Sequence, residues 1–194
     1  MRGDGSGVEK ARVPPGQRLS RELRRLDLGV VPRFDESKWR LRVEGLVEKK
    51  LSLTLSELVS FRHTNVIADF HCVTGWSRLD NRWEGIPFKS IVEVAKVRAE
   101  AKFVTFECGD GYTTSHPLPD LLKGNVLLAL TLDGQGLAAE HGGPLRLIVP
   151  DKYAYKSAKW VEGIRFTAEK ELGYWEERGY SDTADPWTED RYSR

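Results

Sequence analysis

The sequence predicts an α+β fold: a mixed, irregular β-sheet carrying short helices. Three observations carry that expectation. Short apolar or alternating segments recur along the chain, helical spacing is confined to a few brief stretches, and no regular strand–helix–strand alternation sets up a parallel sheet. At 194 residues the chain is most simply one domain, long enough to bury a real core.

Residues 1–25 are rich in Gly, Pro and charge and are expected as a flexible arm, leaving 26–194 as the domain. "KWRLRVEG" (38–45) alternates Trp39, Leu41 and Val43 with Arg40, Arg42 and Glu44, the pattern of a half-buried strand. Thr54 followed three residues later by Glu57 is a capping box opening a short helix. "TNVIADF" (64–70) reads as a strand, and "PFKSIVEVAKV" (87–97) has helical spacing. "FVTFE" (103–107) and "YTTSH" (112–116) flank a Gly109-Asp110-Gly111 turn. "NVLLALTL" (125–132) and "PLRLIVP" (144–150) are apolar strands separated by the "DGQG" turn (133–136), and "WVEGIRF" (160–166) is a further strand. The segment 173–194 carries five aromatics and is expected to anchor against the domain.

Composition narrows the function. A net charge of +1 lacks the basic excess of a dedicated nucleic-acid binder. Residues 1–25 hold no apolar core of signal-peptide length, and no run approaches a membrane span. The expected location is cytoplasmic. The two cysteines, Cys72 and Cys108, form no disulfide framework, and no CxxC, CxxCH or HExxH motif occurs. The histidines at 63, 71, 116 and 141 are scattered.

Within "DFHCVTGWS" (69–77), Cys72 admits three readings. It is a small buried hydrophobe, a nucleophile paired with a histidine, or a thiolate ligand to a soft metal centre carried by a cofactor. Neighbours on a strand face opposite ways, which argues against activation by His71. Arg146, in the apolar strand of "EHGGPLRLIVP", needs an anionic or strongly polar partner. Tyr112 is either a packed hairpin aromatic or a phenol able to hydrogen-bond and relay a proton. His71, Trp76 and Trp83 suit core and rim packing as well as a pocket wall.

Taken together, "DFHCVTGWS…RWEGIPF", "GYTTSHPL" and "HGGPLRLIVPDKYAYKSAKWVEGIRF", in that order across residues 30–180, resemble the molybdopterin domain of the sulfite oxidase family. They also resemble the related bacterial catalytic subunit that reduces protein methionine sulfoxide. The resemblance implies the sulfite oxidase fold and a molybdenum–molybdopterin cofactor whose metal is bound by Cys72. It implies that His141, Arg146 and the Ser157-Ala158-Lys159 segment hold the pterin and its phosphate, with Lys156 a further cation nearby. Cys108 falls where relatives approach the cofactor, burial in the core being the other reading; Tyr112 matches the sulfite oxidases' active-site tyrosine, and His71 is a further candidate contact. The implied chemistry is oxygen-atom transfer at a small sulfur-containing or related oxo substrate, molybdenum cycling between its VI and IV states. Electrons pass to or from a separate partner, because no haem or iron–sulfur ligand set is present.

The departures bear on substrate. Sulfite oxidases follow the cysteine with arginines that bind sulfite, whereas "VTGWSR" stands here, leaving Arg78 or Arg82 to supply charge. Reduction of a sulfoxide or N-oxide is therefore the alternative direction, and a cofactor-binding module without turnover the alternative class. "DLGVVPRF" (27–34) offers only Asp27, Arg33 and backbone groups, so no N-terminal pterin contact of the family is carried over to a residue here.

Overall fold

Strand pairing is set by which segments can lay an apolar face on a neighbour, and in the computed structural model, which describes residues 11–193, it produces two sheets. The first is built on two long antiparallel strands, β4 (Thr64–Cys72) and β5 (Trp76–Pro87). Its other members are β1 (Arg18–Leu19), parallel to β5; β8 (Leu127–Leu132), antiparallel to β5; and β9 (Gln135–Gly136) and β10 (Arg146–Ile148), both on β8. The second has the order β3-β2-β11-β6-β7, with β2 (Leu41–Gly45), β3 (Leu51–Leu53), β6 (Phe103–Cys108), β7 (Thr113–Pro117) and β11 (Val161–Thr167). The β2–β11 pair is parallel and the rest antiparallel. The mixed, irregular β-structure expected from the sequence is divided between these two sheets.

Among the described residues, three short α-helices lie between strands. α1 (Leu55–Val59) opens with the anticipated capping box, Thr54 accepting from Glu57 N–H (3.2 Å) while Glu57 accepts from Thr54 N–H (2.8 Å). α2 (Phe88–Ala95) buries Phe88, Ile91 and Ala95, worth about 1.5–3 kcal/mol for each of the two large side chains. It ends at Lys96 in the left-handed region, φ 51°. α3 (Leu118–Leu121) follows β7 directly.

The main core lies between the sheets, with Ile86, Leu128 and Leu147 of the first meeting Leu41, Phe106, Ile164 and Phe166 of the second. A second cluster, Phe70, Cys72, Trp76, Trp83, Leu127 and Ile148, covers the first sheet's other face. That cluster brings the cysteine to the site.

β5 was not apparent in the sequence because Asp80, Asn81 and Gly85 interrupt its pattern and its pairing with β4 shifts between Ala68 and Phe70. Asn81, fully buried, repairs the shift by donating to the Ala68 (3.0 Å) and Arg78 (2.8 Å) carbonyls. At Gly85 a Cβ would stand 2.0 Å from the Leu128 carbonyl oxygen, so the β5–β8 approach requires glycine.

Of the arm expected over 1–25, residues 1–10 lie outside the described residues. Residues 11–25 are tied down. Arg12 bridges Asp69 (2.5 Å) and Asp80 (2.6 Å), and β1 pairs with Trp76 and Ser77. The composition suggested a loose segment, but backbone pairing to a sheet edge supplies the order that its few apolar residues could not. Among the described residues no helix is long and apolar enough to cross a membrane.

Candidate active site

A tight turn between β4 and β5 presents the thiol. Gly75 N–H donates to the Cys72 carbonyl (3.0 Å), and Gly75 sits at φ +94°, a conformation glycine adopts without strain. Cys72 Sγ lies 3.1 Å from Thr74 Oγ1 and faces a cavity of about 260 Å³. Burial pushes the thiol's pKa up, while the Thr74 hydroxyl and the Arg146 and Arg191 charges oppose the rise.

Alternation along β4 sends Phe70 and Cys72 into this cavity and Asp69 and His71 into another on the opposite face. His71 Nδ1 lies 2.8 Å from Ser77 Oγ, and the ring stands edge-on to Trp187 at 6.2 Å. Its expected place against a cofactor is not where the strand puts it.

Arg146 reaches the same cavity from β10 and is 5% exposed. Its guanidinium packs over Phe70 (5.0 Å) and Trp83 (5.7 Å), and Nη1 donates to the His141 carbonyl (3.0 Å). No carboxylate pairs with it among the described residues, and its Nε has no partner. Burial lowers its pKa to about 10, and the nearby Cys72 favours the charge. A buried cation with an unsatisfied donor is costly unless an anion completes it.

The loop after β10 supplies the neighbouring wall. Ser157 Oγ accepts from Val149 N–H (3.0 Å), and the Ala158 carbonyl accepts from Leu147 N–H (2.9 Å), so both residues are pinned to β10. Lys159 Nζ donates to the Glu140 carbonyl (3.1 Å), sits 3.5 Å from Asp27 Oδ2, and lies 4.1 Å from the Trp160 ring centroid. Burial, then the Arg146 charge, lowers its pKa to about 8. His141 also lines the cavity; burial and Arg146 push its imidazole below the usual range.

Three other candidates differ in how they meet the cavity. Tyr112 lines the cavity, but its hydroxyl donates to the Tyr155 carbonyl (2.6 Å), leaving it free to accept rather than donate, and burial holds its pKa high. Cys108 packs against the main core and does not line the cavity, and burial pushes its thiol well up. Lys156 is fully buried on the far side of its loop, bonded to Glu176 and to the Ser115 carbonyl (2.5 Å). Arg78 and Arg82 are also outside the cavity lining. Arg78 pairs with Asp133 and donates to Asn81 Oδ1 (2.8 Å).

Sequence reasoning missed the Leu23–Leu28 wall, including Arg24, whose guanidinium stands 6.0 Å from the Trp76 ring centroid. It also missed Trp175 and Tyr180 as lining residues; the cluster of C-terminal aromatics was their only signal. Asp27 is held by Arg25 (2.6 Å), Gly29 N–H (2.8 Å) and Lys159, with the Arg25 bond foremost in lowering its carboxyl pKa.

The residues present suit a molybdopterin. A thiolate is a soft donor for a single metal centre, and the unsatisfied guanidinium with the adjacent ammonium suits a phosphate.

The family model described as "Oxidoreductase molybdopterin binding domain" matches residues 28–175. The chain is 42% identical over 186 residues to a Bacillus subtilis protein called an uncharacterized oxidoreductase, covering 95% of this chain and 94% of that one. It is 36% identical to a putative protein-methionine-sulfoxide reductase subunit of Azospira oryzae, across 78% of this chain and 57% of the relative. It is 30% identical to a protein-methionine-sulfoxide reductase catalytic subunit of Campylobacter jejuni, across 79% and 57%. The chain thus spans little more than half the length of the latter two. A solved structure of the Paracoccus pantotrophus sulfane dehydrogenase SoxCD superposes with a TM-score of 0.66 at 25% identity, over 72% of this chain and 40% of that one.

Proposed function

The chain belongs to the family of oxidoreductase molybdopterin-binding domains, and from that premise we propose that Cys72 holds the molybdenum of a molybdopterin cofactor used for oxygen-atom transfer at a small sulfur-containing or related oxo substrate. The observation that carries this reading is that Cys72 and the unpaired Arg146 share one cavity with Ser157, Ala158 and Lys159. When bound, the cofactor supplies two-electron oxygen-atom chemistry through the metal. Arg146 and Lys159 bind the phosphate, and His141 flanks them. Ser157, pinned to Val149, orients the loop. Phe70, Trp76 and Trp160 exclude water from around the thiolate. Tyr112 directs its hydroxyl proton at the Tyr155 carbonyl and presents its oxygen as an acceptor, turning into a donor only if that bond opens.

Reduction of a sulfoxide or N-oxide is the direction the surroundings favour. Arg78 is occupied by Asp133, and neither it nor Arg82 lines the cavity, so the two arginines that follow the cysteine are not placed to bind sulfite; Trp76 adds apolar surface there, with Arg24 the guanidinium beside it. Electrons are exchanged with a separate partner, in keeping with two relatives that are named as subunits.

Elemental analysis of the purified chain, with fluorescence of released oxidised pterin, tests the cofactor. A substrate screen in both directions with artificial electron carriers tests the reaction. Protein lacking molybdenum and pterin after expression in a host that makes the cofactor would overturn the proposal. Turnover of sulfite but of no sulfoxide or N-oxide would overturn the direction.

A further inference from the structure

Two segments outside the family-matched residues 28–175 converge on the Cys72 turn. From the N-terminal side, Gln17 Nε2 donates to the Cys72 carbonyl (3.1 Å), Arg18 N–H to the Gly75 carbonyl (3.0 Å) and Ser20 N–H to the Ser77 carbonyl (2.8 Å). From the C-terminal side, the Arg191 guanidinium donates to the Val73 carbonyl. The two segments also meet each other. A Cβ at Gly16 would come within 2.5 Å of Glu189 Oε1 and 3.0 Å of Arg191 Nη2.

Arg191 is held for this contact. Its side chain is 19% exposed, lies over the Tyr153 ring at 5.2 Å, and has Glu189 as a carboxylate neighbour at 3.5 Å. Glu189 is itself half exposed, so water screens that pairing and leaves the guanidinium charge only partly offset. A positive charge one residue beyond a metal thiolate favours the more negative, reduced centre and so raises its potential.

We propose that Arg191 is a positioning residue for Cys72: together with Gln17 it fixes the turn that carries the thiol, and its charge raises the reduction potential of the metal bound there. This rests on the reading of Cys72 as the metal ligand. The two contributions separate, because Gln17 is uncharged and supplies only the mechanical part.

The test uses the full chain in its cofactor-loaded form with Arg191→Met, Arg191→Lys and Gln17→Ala. Amide hydrogen exchange reads the turn, and the molybdenum midpoint potential, followed by electron paramagnetic resonance, reads the charge. Arg191→Met is expected to speed exchange of residues 72–77 by roughly tenfold, the scale of one lost charge-assisted bond, and to move the potential negative. Arg191→Lys should keep the potential near wild type, and Gln17→Ala should speed exchange without moving it. Wild-type exchange and potential in Arg191→Met would overturn the proposal, as would an equal potential shift in Gln17→Ala and Arg191→Met. If Arg191→Met does not fold, Arg191→Lys and Gln17→Ala decide: unchanged potentials with faster exchange in Gln17→Ala support it, and a shifted potential in Gln17→Ala or its unchanged exchange overturns it. A wild-type chain without molybdenum sinks the ligand reading instead, and the exchange comparison in that same protein still decides the clamp.

Discussion

His71 and Cys72 are neighbours on β4 and face opposite cavities. The separation gives a clean contrast. Cys72→Ser is expected to lose most of its molybdenum, since an alkoxide is a poorer soft donor than a thiolate, while His71→Ala and Cys108→Ser retain it. Metal content per chain measures all three. Molybdenum retained by the Cys72 variant with an unaltered paramagnetic signal would show that the metal has another ligand.

Arg146→Ala removes the unpaired guanidinium from the cavity. Losing a charge-assisted contact of about 1.5–3 kcal/mol weakens cofactor retention by about one to two decades. Arg146→Lys should recover only part of this, because the planar fork is lost. Cofactor remaining on the protein during extended dialysis is the measurement, and equal retention in all three forms would make Arg146 purely structural.

Lys159 has its pKa lowered to about 8 from 10.5 by burial and Arg146. Its cation is present below that value and lost above it, so cofactor phosphate should be held less tightly as pH rises through about 8. Lys159→Arg should flatten the profile. In cofactor-free protein the sign reverses: the unfolded chain keeps this proton up to about 10.5 while the folded state releases it near 8, so this group makes stability rise across that window.

Arg24 lines the cavity beside Trp76, whereas Arg78 is taken by Asp133. Arg24→Ala is therefore expected to raise KM for an anionic oxo substrate such as sulfite, with an effect that added salt erases, and to leave a neutral sulfoxide unaffected. Arg78→Ala should change neither KM. The reverse pattern in steady-state kinetics would return the anion contact to Arg78.

Lys156 and Glu176 form a fully buried ion pair, with Thr114 Oγ1 also donating to Glu176 (3.0 Å). Lys156→Met strands a buried carboxylate and should cost about 3–5 kcal/mol, read as a lower urea midpoint. A Lys156→Met/Glu176→Leu double variant should regain most of it. Because Lys156 precedes Ser157-Ala158-Lys159, the single variant should also shed cofactor more readily.

Much of the fold was legible because local patterns carry it. The Thr54–Glu57 cap, the α2 spacing and the apolar β8 and β10 strands each state their structure within a few residues. β5 was not legible, since its alternation is broken at Asp80 and repaired by Asn81, a long-range bond that no local window contains. At the site, Cys72, Arg146 and Lys159 stood out through motif order and through a cation in an apolar strand. Side-chain direction did not: Lys156 and Lys159 occupy one loop, yet only Lys159 turns to the cavity. Arg24 and Arg191 come from segments whose composition signalled only looseness or anchoring.

The contact between Arg191 and the Val73 carbonyl bears on the order in which the protein can be finished. Translation releases the thiol, its turn and the Ser157–Lys159 loop well before residues 175–191 emerge. Until then Trp175 and Tyr180 are missing from the wall, Lys156 lacks the Glu176 carboxylate, and the turn is held from the N-terminal segment alone. If Cys72 is the ligand, a nascent chain would carry it without the finished site, and tight uptake of cofactor would be deferred until synthesis has passed residue 191.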